Sequence, residues 1–372
     1  MKMKQCIFAV FACVLPFLVS CRQEEVYLEP SHVRASNGFF LLNEGNMGSN
    51  KASIDFFDIE TQVYTRNVFA RQNPDVILEL GDGGNDIAVY GGKLYAVINR
   101  SNLVEVADAY SVRHIAQVGV ANCRNITFCE GYAYVSSYAG AAYGEDGHRR
   151  GFVAKIDTLT LQVVDTCQVG YQPEEMVGYG SKLYVANSGG YCAPDYDRTV
   201  SVIDLTTFSV VRSIDVDVNL HRMEVDRQRG EIYVSSRGDY GAVSSGIYVI
   251  DAALDEVVYK IPGLQCADMT IAGNNLYVFS TEWNNETYTT DIRYSIYNIA
   301  KGRLETDHFI TDGTESDIVY PYGIAVSPLD GTIYLTDAVD FMTPGTLHCY
   351  TPDGRRLWSV MTGDLPGHFA FF

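Results

Sequence analysis

Aromatic rings set beside arginines recur at a limited group of positions, and that pairing suits a large flat ligand with a polar periphery. Tyr138, Tyr191, Tyr240 and Trp283 stand in long polar segments between strand-like runs, accompanied by Tyr143, Tyr196, Tyr288 and Phe341. Arg124, the pair His221–Arg222, Tyr322 and His368 stand near the starts of other runs. Arg100, Arg198 and Arg237 follow runs or close the polar segments. Catalysis has little support beside this. The chain lacks a Gly-x-Ser-x-Gly elbow and an HExxH pair, and its glycine-rich stretch NEGNMGSN (43–50) passes from strand to strand with no helix behind it to hold phosphate. His221 and His368 alone do not make a metal site. The expectation is binding without catalytic residues, metal or cofactor.

The elements that must carry these residues repeat seven times. An apolar strand, a tight Gly or Asn turn and a strand built around an aromatic recur, with anchors Phe40, Tyr95, Tyr134, Tyr184, Tyr233, Tyr277 and Tyr334. Their spacing of about 40 to 57 residues is that of propeller blades. The clearest copies are KLYAVIN (93–99), KLYVANS (182–188), EIYVSSR (231–237) and NLYVFST (275–281). Third strands alternate and often end in aspartate, as in SIDFFD (53–58), FVAKID (152–157), TVSVID (199–204) and GIYVID (246–251), so those carboxylates are expected to shape the following turns.

Each unit reads as four strands, A to D, with A strands starting near Asp86, Arg124, Glu174, Arg222, Ala267, Tyr322 and Gly367. The first unit has no A strand before Phe39, whereas the last residues, PGHFAFF (366–372), resemble an A strand with no successor. Ring closure reconciles the two. The expected fold is all-β, a seven-bladed β-propeller over 37–372 closed by the C-terminal strand joining the first blade.

Loop length is distributed unevenly. A–B turns are short (Gly91–Gly92, Glu130–Gly131, Gly273–Asn274, Leu329–Gly331), while most B–C loops are long: 44–51, 138–151, 189–198, 238–245 and 282–291. The D–A links 70–85 and 312–321 are long as well. B–C and D–A segments share one rim of a propeller blade, and long loops on a rigid scaffold are where binding concentrates.

The N-terminus reads as targeting. Lys2 and Lys4 precede an apolar stretch, Ile7–Leu18, and then Leu18-Val19-Ser20-Cys21, which looks like a bacterial lipobox. The stretch is too short to span a bilayer, which needs about 20 apolar residues. The expectation is a signal peptide over 1–20, lipidation of Cys21 and a flexible tether over 21–36, anchoring the protein to a membrane without spanning it. Losing residues 1–20 removes two lysines and no acid, taking the net charge of −19 to −21. Such a charge opposes nucleic-acid binding. Of nine cysteines, six remain after the leader and Cys21: Cys123, Cys129, Cys167, Cys192, Cys266 and Cys349, expected mainly as buried thiols.

The phrases NEGNMGSNKASIDFFD, GNDIAVYGGKLYAVIN, GYQPEEMVGYGSKLYVANSGGY, YDRTVSVIDL, NLHRMEVD and YVSSRGDY resemble the YncE-type seven-bladed propeller lipoproteins of Bacteroides-type bacteria, and more narrowly the BtuG lipoproteins. The resemblance runs from about Asn37 to the C-terminus. It implies an outer-membrane, surface-exposed location, capture of cobalamin (vitamin B12) or related corrinoids, and delivery to a TonB-dependent transporter. On that implication tyrosines and Trp283 cover the corrin faces, Asn43, Asn187 and Ser188 pair with its amides, and Arg222 or Arg237 meets its phosphate. A ferric siderophore, haem, a purely transporter-docking role, or a propeller hydrolase or lyase are the alternatives.

Overall fold

Period-two alternation between turn residues folds here into short antiparallel strands. The computed structural model describes residues 37–77, 79–140, 149–284 and 287–372. The leader 1–20, Cys21, the tether 21–36 and Tyr143 lie outside the described residues. Within them the chain forms seven four-stranded sheets, the blades of a β-propeller. A short helix, Val68–Gln72, lies in the link from blade 1 to blade 2. Among the described residues no helix is long and apolar enough to cross a membrane.

The innermost strands of blades 2 to 7 are Gly84–Tyr90, Cys123–Cys129, Pro173–Tyr179, Leu220–Asp226, Asp268–Ala272 and Pro321–Val326. Each begins within a few residues of its expected start. Blade 1 is assembled from both ends of the propeller, in the order Pro366–Phe371, Gly38–Asn43, Ser53–Asp58, Val63–Thr65. Phe40 pairs with Ala370 and Leu42 with His368 across this junction. Consecutive innermost strands touch all the way round, so the ring is closed.

The aromatic anchors explain how the blades cohere. All seven are buried, and Tyr95, Tyr184 and Tyr233 pack with the valines and isoleucines of the surrounding strands. Full burial of one such side chain contributes on the order of 2 kcal/mol. At the closure, Phe39 contacts Phe57, Tyr334, Phe369 and Phe371, tying the first and last residues of the ring into one cluster.

Third-strand aspartates act as turn residues. Asp58, Asp157, Asp204 and Asp251 each accept backbone N–H bonds from the two positions two and three residues on, at 2.7–3.0 Å. Cys123, Cys129, Cys167, Cys266 and Cys349 are free thiols, and burial raises the pKa of each.

One expected loop differs. Residues 282–291 continue the strands: Asn275–Asn284 and Thr289–Asn298 pair as far as Glu282 with Asp291 and Trp283 with Thr290. Thr281, Trp283, Thr289, Thr290 and Ile292 favour a pleated strand, and the polar residues between them mask that signal.

Candidate functional site

A bulge at the start of most innermost strands builds the floor of the site. In blade 3, Cys123 pairs with Ser137 and Ile126 with Val135, so Arg124 and Asn125 together oppose Ser136. The same two-against-one step places Glu174–Glu175, His221–Arg222 and Tyr322–Gly323 in blades 4, 5 and 7. Such a bulge bends the strand and redirects its side chains, and Arg124, Asn125, His221, Arg222 and Tyr322 among them line the central cavity.

The bulges are stapled by neighbours. Ser136, Ser235 and Thr336 hydroxyls accept the backbone N–H of Asn125, Arg222 and Gly323 at 3.0, 2.9 and 2.8 Å. Carboxylates then link neighbouring blades at alternate junctions: Asp86 accepts the N–H of Ile126 (2.8 Å), Glu175 that of Met223 (2.7 Å) and Asp268 that of Ile324 (3.3 Å). These acids facing the axis are thus part of the ring's construction.

Above the floor opens a cavity of about 1160 Å³, at or beyond the roughly 300–1,000 Å³ of pockets for drug-sized ligands. Its walls come from B–C and D–A segments, the rim expected to carry function. Trp283, Tyr240 and Tyr191 stand on the upper walls with 58, 76 and 48 % of their surface exposed. Large rings left in water around a concavity are poised to cover an apolar face.

Five arginines and three carboxylates line the cavity. That is a cationic excess inside a strongly acidic chain. Arg124 Nε and Nη2 lie 3.3 and 3.2 Å from Glu174 Oε2, and the Tyr138 ring lies 4.8 Å from its guanidinium carbon. Arg237 Nη1 stands 3.6 Å from Glu174 Oε1. Burial raises the Glu174 pKa, but Arg124 and Arg237 outweigh it and hold the carboxyl below its ordinary value. Arg222 bridges two acids, bonding Glu175 at 2.6 Å and lying 3.0 Å from Asp268 through Nε, an ion-pair contact without hydrogen-bond alignment. Burial lifts Asp268 to about 6 and Glu224 to about 8, the latter helped by Glu175 and Asp268 nearby.

His221 faces the cavity with no hydrogen bond to the described protein. Burial, then Arg237, Arg222, Arg124 and His368, push its pKa well below the ordinary 6.5, so its imidazole is neutral. His368 lies 3.2 Å from Glu44. Among the described residues no three His, Cys, Asp or Glu side chains converge as a metal cage.

Of the residues singled out from sequence, Arg100, Arg124, Tyr191, His221, Arg222, Arg237, Tyr240, Trp283, Tyr322 and His368 line this one cavity. Four others are placed in the scaffold. Asn43 is fully buried, bonding Ser53 Oγ at 3.1 Å and accepting Gly363 N–H at 3.1 Å. Asn187, also fully buried, bonds Thr199 O and Ser201 Oγ at 3.0 Å. Ser188 is bonded to Gln172 O at 2.9 Å, and Tyr138 to Glu174 Oε1 at 2.5 Å. Their polar groups are spent on protein partners. Glu174, Glu44, Arg293 and Tyr320 were missed. Aligning the bulge pairs of the seven innermost strands would have found Glu174 beside Arg124 and His221.

The family model described as a domain of unknown function, DUF5074, matches residues 37–346. The chain belongs to that family. Several solved structures share the fold of this DUF5074 chain. Hydrazine synthase from Kuenenia stuttgartiensis aligns at TM-score 0.59 and 17 % identity, over 77 % of this chain and 88 % of that one. A quinonprotein alcohol dehydrogenase-like protein from Bacteroides thetaiotaomicron aligns at 0.60 and 18 %, over 92 % and 79 %. Apo AztD from Citrobacter koseri aligns at 0.51 and 12 %, over 91 % and 98 %. Identities this low speak for the fold alone. No curated protein matches the DUF5074 chain.

Proposed function

We propose that this propeller captures cobalamin or a related corrinoid in the cavity on its long-loop rim, without chemical turnover, and passes it to a TonB-dependent outer-membrane transporter. The protein reaches the cell surface as a lipoprotein anchored through Cys21. The observation that carries the reading is a 1160 Å³ cavity with exposed aromatic walls over an arginine floor. A corrin offers broad apolar faces for Trp283, Tyr240 and Tyr191, and its amide rim and phosphate match the donors beneath. The walls stand on a closed ring whose bulges are stapled by hydrogen bonds, which limits the ordering cost of binding.

The test mixes purified protein with cyanocobalamin at micromolar concentration and follows the pink chromophore through gel filtration. Co-elution supports capture. Separation of chromophore from protein removes the corrinoid reading, and the same run with haem and with a ferric siderophore examines the other coloured ligands of similar size.

A further inference from the structure

The floor of the cavity divides into two charge clusters of opposite balance. On one side Glu174 alone faces two guanidiniums, Arg124 at 3.2 Å and Arg237 at 3.6 Å. Tyr138 also donates to this carboxylate, and Ser188 Oγ lies 3.5 Å from it. Glu174 is almost fully buried, whereas both arginines line the cavity. On the other side Arg222 alone faces Glu175 and Asp268, with Glu224 close by. One carboxylate cannot neutralise two guanidiniums, so positive charge is left over at the first corner and absent from the second.

Donor capacity differs among the three arginines, and Arg237 holds the most in reserve. Arg222 bonds Glu175 through Nη1 and contacts Asp268 through Nε. Arg124 spends Nε and Nη2 on Glu174 and retains Nη1. Arg237 makes no side-chain hydrogen bond within the described protein, its one ion pair being too long for one. His221 lines the same cavity with both ring nitrogens unspent, and burial together with the cations around it keeps it neutral, able to donate through one nitrogen.

We propose that Arg237, Arg124 and His221 form an anion subsite that receives a phosphate or carboxylate group of the captured ligand and so fixes its orientation in the cavity. The proposal rests on the reading of this cavity as a ligand site. Glu174 acts as a positioning residue, holding both guanidiniums at one corner while leaving them a net charge to share. The acidic cluster around Arg222 repels an anion placed the wrong way round.

Two experiments separate this proposal from corrinoid capture itself. In the first, histidine-labelled protein is titrated with inorganic phosphate and with acetate, and the His221 imidazole resonances, assigned through His221→Gln, are followed by NMR. A saturable shift is expected, retained in Arg198→Gln, whose arginine pairs with Asp215 away from the cavity, and abolished in Arg237→Gln. Absence of a shift, or an equal shift in Arg237→Gln, overturns the subsite. Phosphate acting alone identifies a phosphate site, and acetate acting equally a general oxyanion site. In the second, cobinamide and cobinamide phosphate, which differ by that one group, are compared by calorimetry. The phosphate form is expected to bind about tenfold more tightly, with the advantage lost in Arg237→Gln. Equal binding of the two overturns the subsite and leaves capture standing. A His221 response to phosphate with no corrinoid binding removes corrinoid capture and supports the subsite.

Discussion

Arg237 stands 3.6 Å from Glu174, a carboxylate that Arg124 and Tyr138 already engage. This unequal sharing makes Glu174 the hinge of the site's electrostatics although it does not touch the cavity. Glu174→Gln is expected to leave two partly buried guanidiniums without their counter-charge, at a cost of about 1–3 kcal/mol. Urea unfolding at neutral pH measures it. A change below about 1 kcal/mol would mean that solvent already screens both arginines.

Trp283 tests the cavity's walls separately from its floor. More than half its surface is exposed, so Trp283→Ala is expected to leave the melting temperature unchanged. The same change weakens cyanocobalamin binding by about tenfold or more, the loss typical of an aromatic anchor. Calorimetry beside a thermal melt distinguishes the two effects. Unaltered affinity would take Trp283 out of the site.

Glu224 predicts a particular dependence on pH. Burial, with Glu175 and Asp268 nearby, raises its pKa from 4.5 to about 8. The folded state therefore binds this proton more tightly than the unfolded chain, and stability falls as pH rises from 4.5 towards 8. Glu224→Gln removes the titration. It is expected to raise the melting temperature by several degrees above pH 8 and to leave it little changed below pH 4.5. Melts of both proteins across that window check the sign, and a variant less stable at high pH contradicts it.

Ring closure makes a further demand. Removing residues 366–372 strips blade 1 of its innermost strand and uncovers Phe39, which is otherwise fully buried against Phe369 and Phe371. The expected result is loss of a cooperative thermal transition with aggregation on gel filtration. A truncated chain that melts like the intact one would mean that the terminal strand is dispensable.

The propeller was legible because its signals are local and repeated: seven aromatic anchors, turn aspartates at strand ends and an unmatched terminal strand. The rim was legible from loop length. The division between cavity-facing and scaffold polar residues was not. Asn187, Ser188 and Arg237 all occur near the ends of second strands, yet burial encloses Asn187 and Ser188 and leaves Arg237 open to the cavity. Whether a polar side chain turns inward to staple a neighbouring blade depends on contacts such as Ser136 with Glu174 O at 2.8 Å, across tens of residues. Glu174 was overlooked for the same reason, since its partners come from blades 3 and 5. The hairpin bearing Trp283 was read as loop because polar residues interrupt its strand pattern.

The central claim is that the long-loop cavity holds a corrinoid, and a titration of tryptophan fluorescence addresses it most directly. Only Trp283 and Trp358 are present, and Trp358 packs against Phe57 in the closure cluster, away from the cavity. Cyanocobalamin is expected to quench the Trp283 component saturably at one ligand per chain, with the response lost in Trp283→Ala. Non-saturating quenching that is identical in the intact protein and in Trp283→Ala would contradict the account.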